Sequence, residues 1–414
     1  MPDKQKKKNL PAGTADSQWA LFLEWLNQAR DSHKDLDTLL EELRELNVAL
    51  LDEKEQKLRV SYFERTVEQL LQQCFPNLPD ADRIKVQLWK GNAYETFGEW
   101  DKALAAYQQV LASGGSGEFA ALKSEALVWI GHIQLMQSHA RDALRAYEQS
   151  LELAKQCGDK KAEANAYHGL AYYHFEHGEL GKAIAHWEKA LEIAEKLNQT
   201  ELIAKFTTNL GVAANVQGKW EKALAYYGES LSQVERINDW RGLAETYHNM
   251  AMTYADANRW AEAGAYYEKS YRLAKKAGDV RLQALVKLNR VELHMAIGDS
   301  RVAEALCNQA LRAFVQLDDH LGEADAYKFL GMVNTQKHEW NVAKAHFEKS
   351  IQLTRRFKNP LCEAEAHFEF GRMWRKKGRP KSAVKQFEKA LALFKQVSAE
   401  KEIARVKQEI ASLG

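Results

Sequence analysis

A formal charge of +1, from 58 Lys and Arg against 57 Asp and Glu in 414 residues, gives no global field that would draw this chain to nucleic acid. Ala, Leu, Glu and Lys abound, prolines number six and strand-like Val/Ile/Thr alternation is missing, which excludes a sheet-built core and predicts an all-α fold. The four scattered cysteines, with no C-x-x-C pairing, read as free thiols of a reducing compartment.

Residues 1–16 form a polar, lysine-bearing tail. No apolar run succeeds it, which excludes a secretory signal and predicts disorder. No stretch reaches the ~18 apolar residues of a membrane span, so the expectation is a soluble, cytoplasmic protein. Residues 17–80 carry three amphipathic patterns: Trp19, Phe22, Trp25 and Leu26; then Leu36, Leu39, Leu40, Leu43 and Leu46; then Leu58, Tyr62, Phe63, Val67, Leu70, Leu71 and Cys74, ending before Pro76. They predict an N-terminal helical unit, either separate from residues 81–398 or an irregular cap covering the start of that segment, its first repeat.

Across residues 81–398 one phrase recurs eight times at a spacing of 40 residues. Its anchor is an alanine: Ala103, Ala143, Ala183, Ala223, Ala263, Ala303, Ala343 and Ala383. Twelve residues earlier stands a small or slim residue: Gly91, Gly131, Ala171, Gly211, Ala251, Val291, Gly331 or Gly371. Four residues later stands Tyr107, Tyr147, Trp187, Tyr227, Tyr267, Phe347 or Phe387, with Cys307 the exception. A fixed period of this length predicts a stacked array rather than one globular core. Each unit reads as helix A with the small residue, a turn, then helix B with the alanine and the aromatic. The small residues let the two helices approach, and the aromatic fills the space beside them. Turns such as Cys157-Gly158-Asp159 and Ala277-Gly278-Asp279 suit the left-handed residue that ends a helix. Ser113 to Gly117 reads as an extended inter-repeat loop or a hinge. Residues 399–414, with Ile403, Val406 and Ile410 among charges, predict a C-terminal capping helix.

These residues, Leu210-Gly211, Gly218, Ala223 and Tyr227 among them, resemble the tetratricopeptide repeat. The family norm is about 34 residues per repeat. The 40-residue spacing here is similar to the repeats of kinesin light chains and of bacterial signalling proteins. The resemblance implies a right-handed superhelical α-solenoid of eight helix pairs whose A helices line a groove for peptides or helices.

Chemistry finds no constellation to build on. Gly178 to Lys182 is too short for a phosphate loop and comes after a helix, and Ser116 lacks a nucleophile-elbow frame. His174 and His177 lie one turn apart, either packing or gripping a metal, with no third ligand suggested. Trp100, Trp220, Trp260 and Trp340 share one register and read as packing. The expectation is no catalytic residue, no metal and no cofactor.

Numbering the small residue as the eighth position, positions 2, 5, 6, 9, 12 and 13 share one stripe of helix A, which in the resembled family faces the groove. Candidate peptide-binding residues on it are His168, Tyr172, Phe175, Asn209, Val212, Asn249, Met252, Asn289, Met295, Lys328, Arg372 and Arg375. The three asparagines stand at position 6 of successive repeats, where an amide either grips a peptide backbone or ties adjacent helices together. Arg372 and Arg375 open a basic run reaching Lys385, read as a solvated surface or a seat for an acidic segment. The carboxylate clamp that holds chaperone tails in similar repeats lacks its residue set here. The expected function is a non-enzymatic adaptor for a protein or peptide partner, with nucleic acid and membrane disfavoured and self-association left open. The alternative is a regulator similar to Rap proteins, in which the N-terminal unit acts on a partner under control of a bound peptide. In that family a glutamine positions water, and Gln56 is a loose positional match.

Overall fold

The computed structural model describes residues 56–413 except 97–98, 115–118, 138, 318, 358 and 398, with scattered positions between 24 and 43. Side chains at 56–59, 62, 96, 400 and 401 lie outside the description, as do residues 1–16 and the first predicted stripe. Among the described residues every regular element is a helix, and none is long and apolar enough to cross a membrane. The chain divides into two compact units, Met1–Ala162 and Glu163–Gly414.

In the first unit, α1 (Gln56–Cys74) precedes two helix pairs, α2 (Asp80–Thr96) with α3 (Trp100–Ala112) and α4 (Ala120–Met136) with α5 (Ala140–Cys157). Leu39, Leu40 and Leu43 of the second predicted stripe share one core with Phe63, Val67 and Leu70 of α1 and Val86 of α2. Phe63 stacks on Trp89 at 5.2 Å between ring centres and meets Tyr94 edge-on. The N-terminal helices therefore cover the first A helix, removing from water the apolar face that an array end would otherwise expose. Of the low-complexity loop only Ser113 and Gly114 fall within the described residues.

The second unit begins at Glu163 within α6 (Lys160–Glu176) and goes on through α7 (Leu180–Lys196), α8 (Thr200–Val216), α9 (Trp220–Arg236), α10 (Trp240–Asp256) and α11 (Trp260–Ala277). It continues through α12 (Val280–Ala296), α13 (Ser300–Gln316), α14 (His320–Gln336), α15 (Trp340–Arg356), α16 (Pro360–Lys376), α17 (Pro380–Gln396) and α18 (Glu400–Ala411). Within each unit A helices pack against the B helix next in the chain, as Trp240–Asp256 does on Trp260–Ala277, and neighbouring A helices of one unit also touch.

The predicted phrase is the joint of each pair. All eight alanines are fully buried, and the partner aromatics are at most 2% exposed. A Cβ added at Gly211 would lie 2.5 Å from the Tyr227 ring, and one at Gly331 would lie 2.8 Å from the Phe347 ring. The helices therefore approach to the limit that glycine allows. Where the small residue is Val291 its partner is Cys307, both fully buried in one cluster: the volume added on helix A is removed from helix B. The exceptional Cys307 thus has a packing reason that spacing does not reveal. Buried serines further along helix B add hydrogen bonds to helix A carbonyls, Ser230 to Ala204 at 3.1 Å and Ser270 to Ala244 at 2.8 Å. Left-handed Gly158, Asn238 and Gly278 end their helices, and the carboxylates of Asp239, Asp279 and Asp319 accept backbone N–H groups at the next N-termini.

At the C-terminal end, α18 lays Ile403 and Val406 into a core with Phe368, Phe387 and Phe394. Arg405 sits 4.5 Å from the Phe368 ring centre, and Arg375 donates to Glu409. The helix occupies the place that a further A helix would take.

Candidate functional site

The stripe predicted to face a ligand is partly spent inside the protein. In the first unit, Glu95 and His132 bond to each other at 2.6 Å. In the second, Phe175 packs on Trp187 at 5.6 Å, and Val212 packs against the cluster around Tyr227 and Met250. Asn289 Nδ2 lies 2.9 Å from His248 Nε2 on the preceding A helix, so this amide ties neighbours. Lys328 is only 9% exposed, with its ammonium 2.6 Å from Glu365 and 3.0 Å from Asp325. Burial alone would favour neutral lysine, but the two carboxylates overcome it and hold the group well above the usual range.

Three predicted residues converge. His168 and Tyr172 of α6 and Asn209 of α8 line one cavity of about 350 Å³, with Lys205 and Thr208 of α8, Ser230 and Val234 of α9, and Thr246 of α10. His168 Nδ1 accepts the Trp187 indole N–H at 3.0 Å, which leaves the proton of the neutral ring on Nε2. Phe206 packs 5.5 Å from its centre. Burial, with the Glu176 carboxylate accepting its hydrogen bond, pushes the Tyr172 phenol up to about 12, so the phenol stays neutral with its proton turned to Glu176. The Thr208 and Ser230 hydroxyls bond to each other at 2.7 Å and Ser230 donates to the Ala204 carbonyl, so the cavity presents an imidazole, an amide and hydroxyl oxygens beside a valine, a set suited to peptide groups.

Met295, Arg372 and Arg375 line a second cavity of about 520 Å³ with Met332, Gln336 and Lys376. Lys328 and Arg372 line a third, of about 240 Å³, with Glu292, Glu369 and Arg405. The cations expected to orient an acidic segment already hold carboxylates here: Arg372 pairs with Glu369 at 3.1 Å and Arg375 with Glu409. Asn249 is half-buried and Met252 is 39% exposed; neither lines any of these three cavities.

His174 and His177 are both engaged within the protein. His177 donates to the Tyr173 carbonyl at 2.8 Å and stacks on that ring, while His174 contacts Glu179 and stacks on His186. Among the described residues no three His, Cys, Asp or Glu side chains converge as metal ligands. Burial, with His174 as a nearby charge, holds His186 down at about 4, and burial alone does the same to His248. Both lie below the ordinary histidine value of 6.5, so the unfolded chain binds more protons across that interval. Stability therefore falls as pH drops from 6.5 toward 4. Urea midpoints at neutral and mildly acidic pH measure this loss, and His186→Gln and His248→Gln should each flatten it.

Lys205, Thr208, Ser230 and Thr246 were missed by sequence reading. Lys205 and Thr208 were legible, because they stand at positions 2 and 5 of the stripe; Ser230 comes from helix B and carried no such signal.

A tetratricopeptide repeat family model matches residues 122–196, 202–276 and 282–356, and a second model of the same repeat matches 90–117. No curated protein matches the sequence. Among solved structures, the apo form of the quorum sensor NprR from B. thuringiensis is similar at 18% identity and a TM-score of 0.59, covering 87% of this chain and 100% of that one. Aspartyl phosphate phosphatase F from Bacillus subtilis is similar at 16% identity and a TM-score of 0.53, over 83% of this chain and 96% of that one. A Rap protein complexed with competence and sporulation factor is similar at 13% identity and a TM-score of 0.53, over 80% and 98%. At such identities the likeness is one of fold.

Proposed function

Because the chain belongs to the tetratricopeptide repeat family, we propose that it is a non-enzymatic adaptor holding a peptide or helix of a partner protein on the A-helix face of residues 163–414. The observation that carries this reading is the convergence of His168, Tyr172 and Asn209 on one cavity with further donors and acceptors. An extended chain needs such alternating partners for its backbone, with a few anchors supplying most of the affinity. A random heptapeptide array probed with the full-length protein tests it. Peptides that bind should lose about tenfold in affinity, about 1.4 kcal/mol, with Tyr172→Ala or Asn209→Ala, while Lys219→Met on the exposed surface changes nothing. Affinities indifferent to both cavity substitutions would sink this placement.

The second reading is a peptide-controlled regulator. It is favoured by the layout of helices before the repeats and by similarity in fold to a quorum sensor and to a Rap protein with a bound factor. Deleting residues 1–80 would bare Trp89 and Tyr94, so a truncation tests folding rather than function. Release of phosphate from phosphorylated receiver domains, lost in Gln56→Ala, would favour the regulator.

A further inference from the structure

One register of the repeat sets two side chains opposite each other across the helix pair. They stand three residues after the small residue of helix A and three residues after the alanine of helix B. In the third unit these are His174 and His186, whose rings stack at 5.4 Å between centres. The fifth unit alone places tyrosine at both, Tyr254 on α10 and Tyr266 on α11. Their rings stack at 5.1 Å with planes 17° apart. The two hydroxyls also interact, so the rings run in the same sense and the carbons beside each hydroxyl face one another. Arg259 lies over the Tyr254 ring at 4.7 Å and Lys269 over the Tyr266 ring at 4.6 Å, contacts that hold both rings in place. Tyr254 and Tyr266 are half-buried, so their edges are open to solvent, whereas Tyr227 and Tyr267 are sealed in the core. Tyr247 also meets Tyr266, but at 5.8 Å and 37°.

A phenol that loses an electron and a proton carries its unpaired electron on the oxygen and on the carbons beside it. Two such rings couple by approaching face to face, and a stacked pair needs no diffusive search to do so. We propose that Tyr254 and Tyr266 form a modification site at which a haem peroxidase using hydrogen peroxide joins the two rings into a dityrosine. Each phenol gives up one electron and one proton. The two radicals form a carbon–carbon bond between the positions beside their hydroxyls, and the hydrogens on those carbons return to the oxygens. One hydrogen peroxide takes up the two electrons and two protons and becomes two waters. The new bond staples α10, which carries Asn249 and Met252, to α11 and restricts the unfolded chain as any cross-link does.

The test treats the full-length protein with peroxidase and hydrogen peroxide, and reads dityrosine fluorescence and the masses of tryptic peptides. Wild type should give a monomer in which the peptide holding Tyr254 is joined to the one holding Tyr266, two hydrogens lighter than their sum. Fragment ions place the bond, because Tyr247 and Tyr254 share a tryptic peptide. Tyr254→Phe and Tyr266→Phe should each cut the fluorescence at least about fivefold, and Tyr247→Phe should leave it within about twofold of wild type. Circular dichroism matching wild type shows that each variant is folded. Fluorescence that survives both substitutions, a bond through Tyr247, or cross-links found only between separate chains would overturn the assignment.

Discussion

Gly331→Val in α14 is expected to lower the urea midpoint by the equivalent of about 1–3 kcal/mol, and adding Phe347→Cys should return much of that loss. The Cβ site at Gly331 lies 2.8 Å from two atoms of the Phe347 ring. The ring cannot retreat, because Phe370 stacks behind it at 5.4 Å. Phe347→Cys alone should cost about 3 kcal/mol through the void it leaves. Together the two changes recreate the Val291 and Cys307 pair that the chain already uses, so the coupling between them should favour the double variant. A repeat array need not unfold in one step, so the loss is best followed by urea-dependent hydrogen exchange of the α14 and α15 amides around this joint. Additive losses would mean that the joint is not a volume-matched pair.

Val406→Asp in α18 is the second large effect, expected on the order of 3 kcal/mol because it buries a charge without a partner. Val406 is fully buried against a core containing Phe368, Phe387 and Phe394. A carboxylate there should release α18 and expose three phenylalanines. The change is read as new binding of a hydrophobic dye, rapid proteolysis within residues 360–414 and loss of the contact between Arg375 and Glu409. Lys407→Asp, on the exposed side of the same helix, is the control and should be nearly silent. If the two variants behave alike, α18 does not close the array through this core.

The architecture was legible because a repeat writes the same packing problem eight times. Ala223 and Tyr227 could be placed against Gly211 from spacing alone, and burial of every such alanine results from that register. The face offered to a ligand was less legible, because it depends on contacts between neighbouring A helices. Lys328 looks like a groove cation in its own helix, but Glu365 of the next one takes it. Arg372 could have been paired with Glu369, one turn away in sequence, whereas Glu409 lies 34 residues beyond Arg375 and gave no sign. The sequence leaves two roles open for Asn289, and the structure joins it to His248, 41 residues earlier. Matching position 6 of one repeat with position 5 of the previous one would have found that contact. Lys205 is inconspicuous in the sequence because no other repeat of the second unit puts a lysine at position 2.

The pairing of Val291 with Cys307 bears on how the chain avoids misfolding. Near-identical helix pairs invite a helix A to seize the wrong helix B during folding, a recurrent failure of repeat proteins. Beside Val291 there is no room for the ring of Tyr267 or Phe347, and Cys307 under Gly331 would leave a void. Mismatched volume therefore penalises either exchange of partners next to the sixth unit, and the one irregular repeat helps to keep its neighbours in sequence.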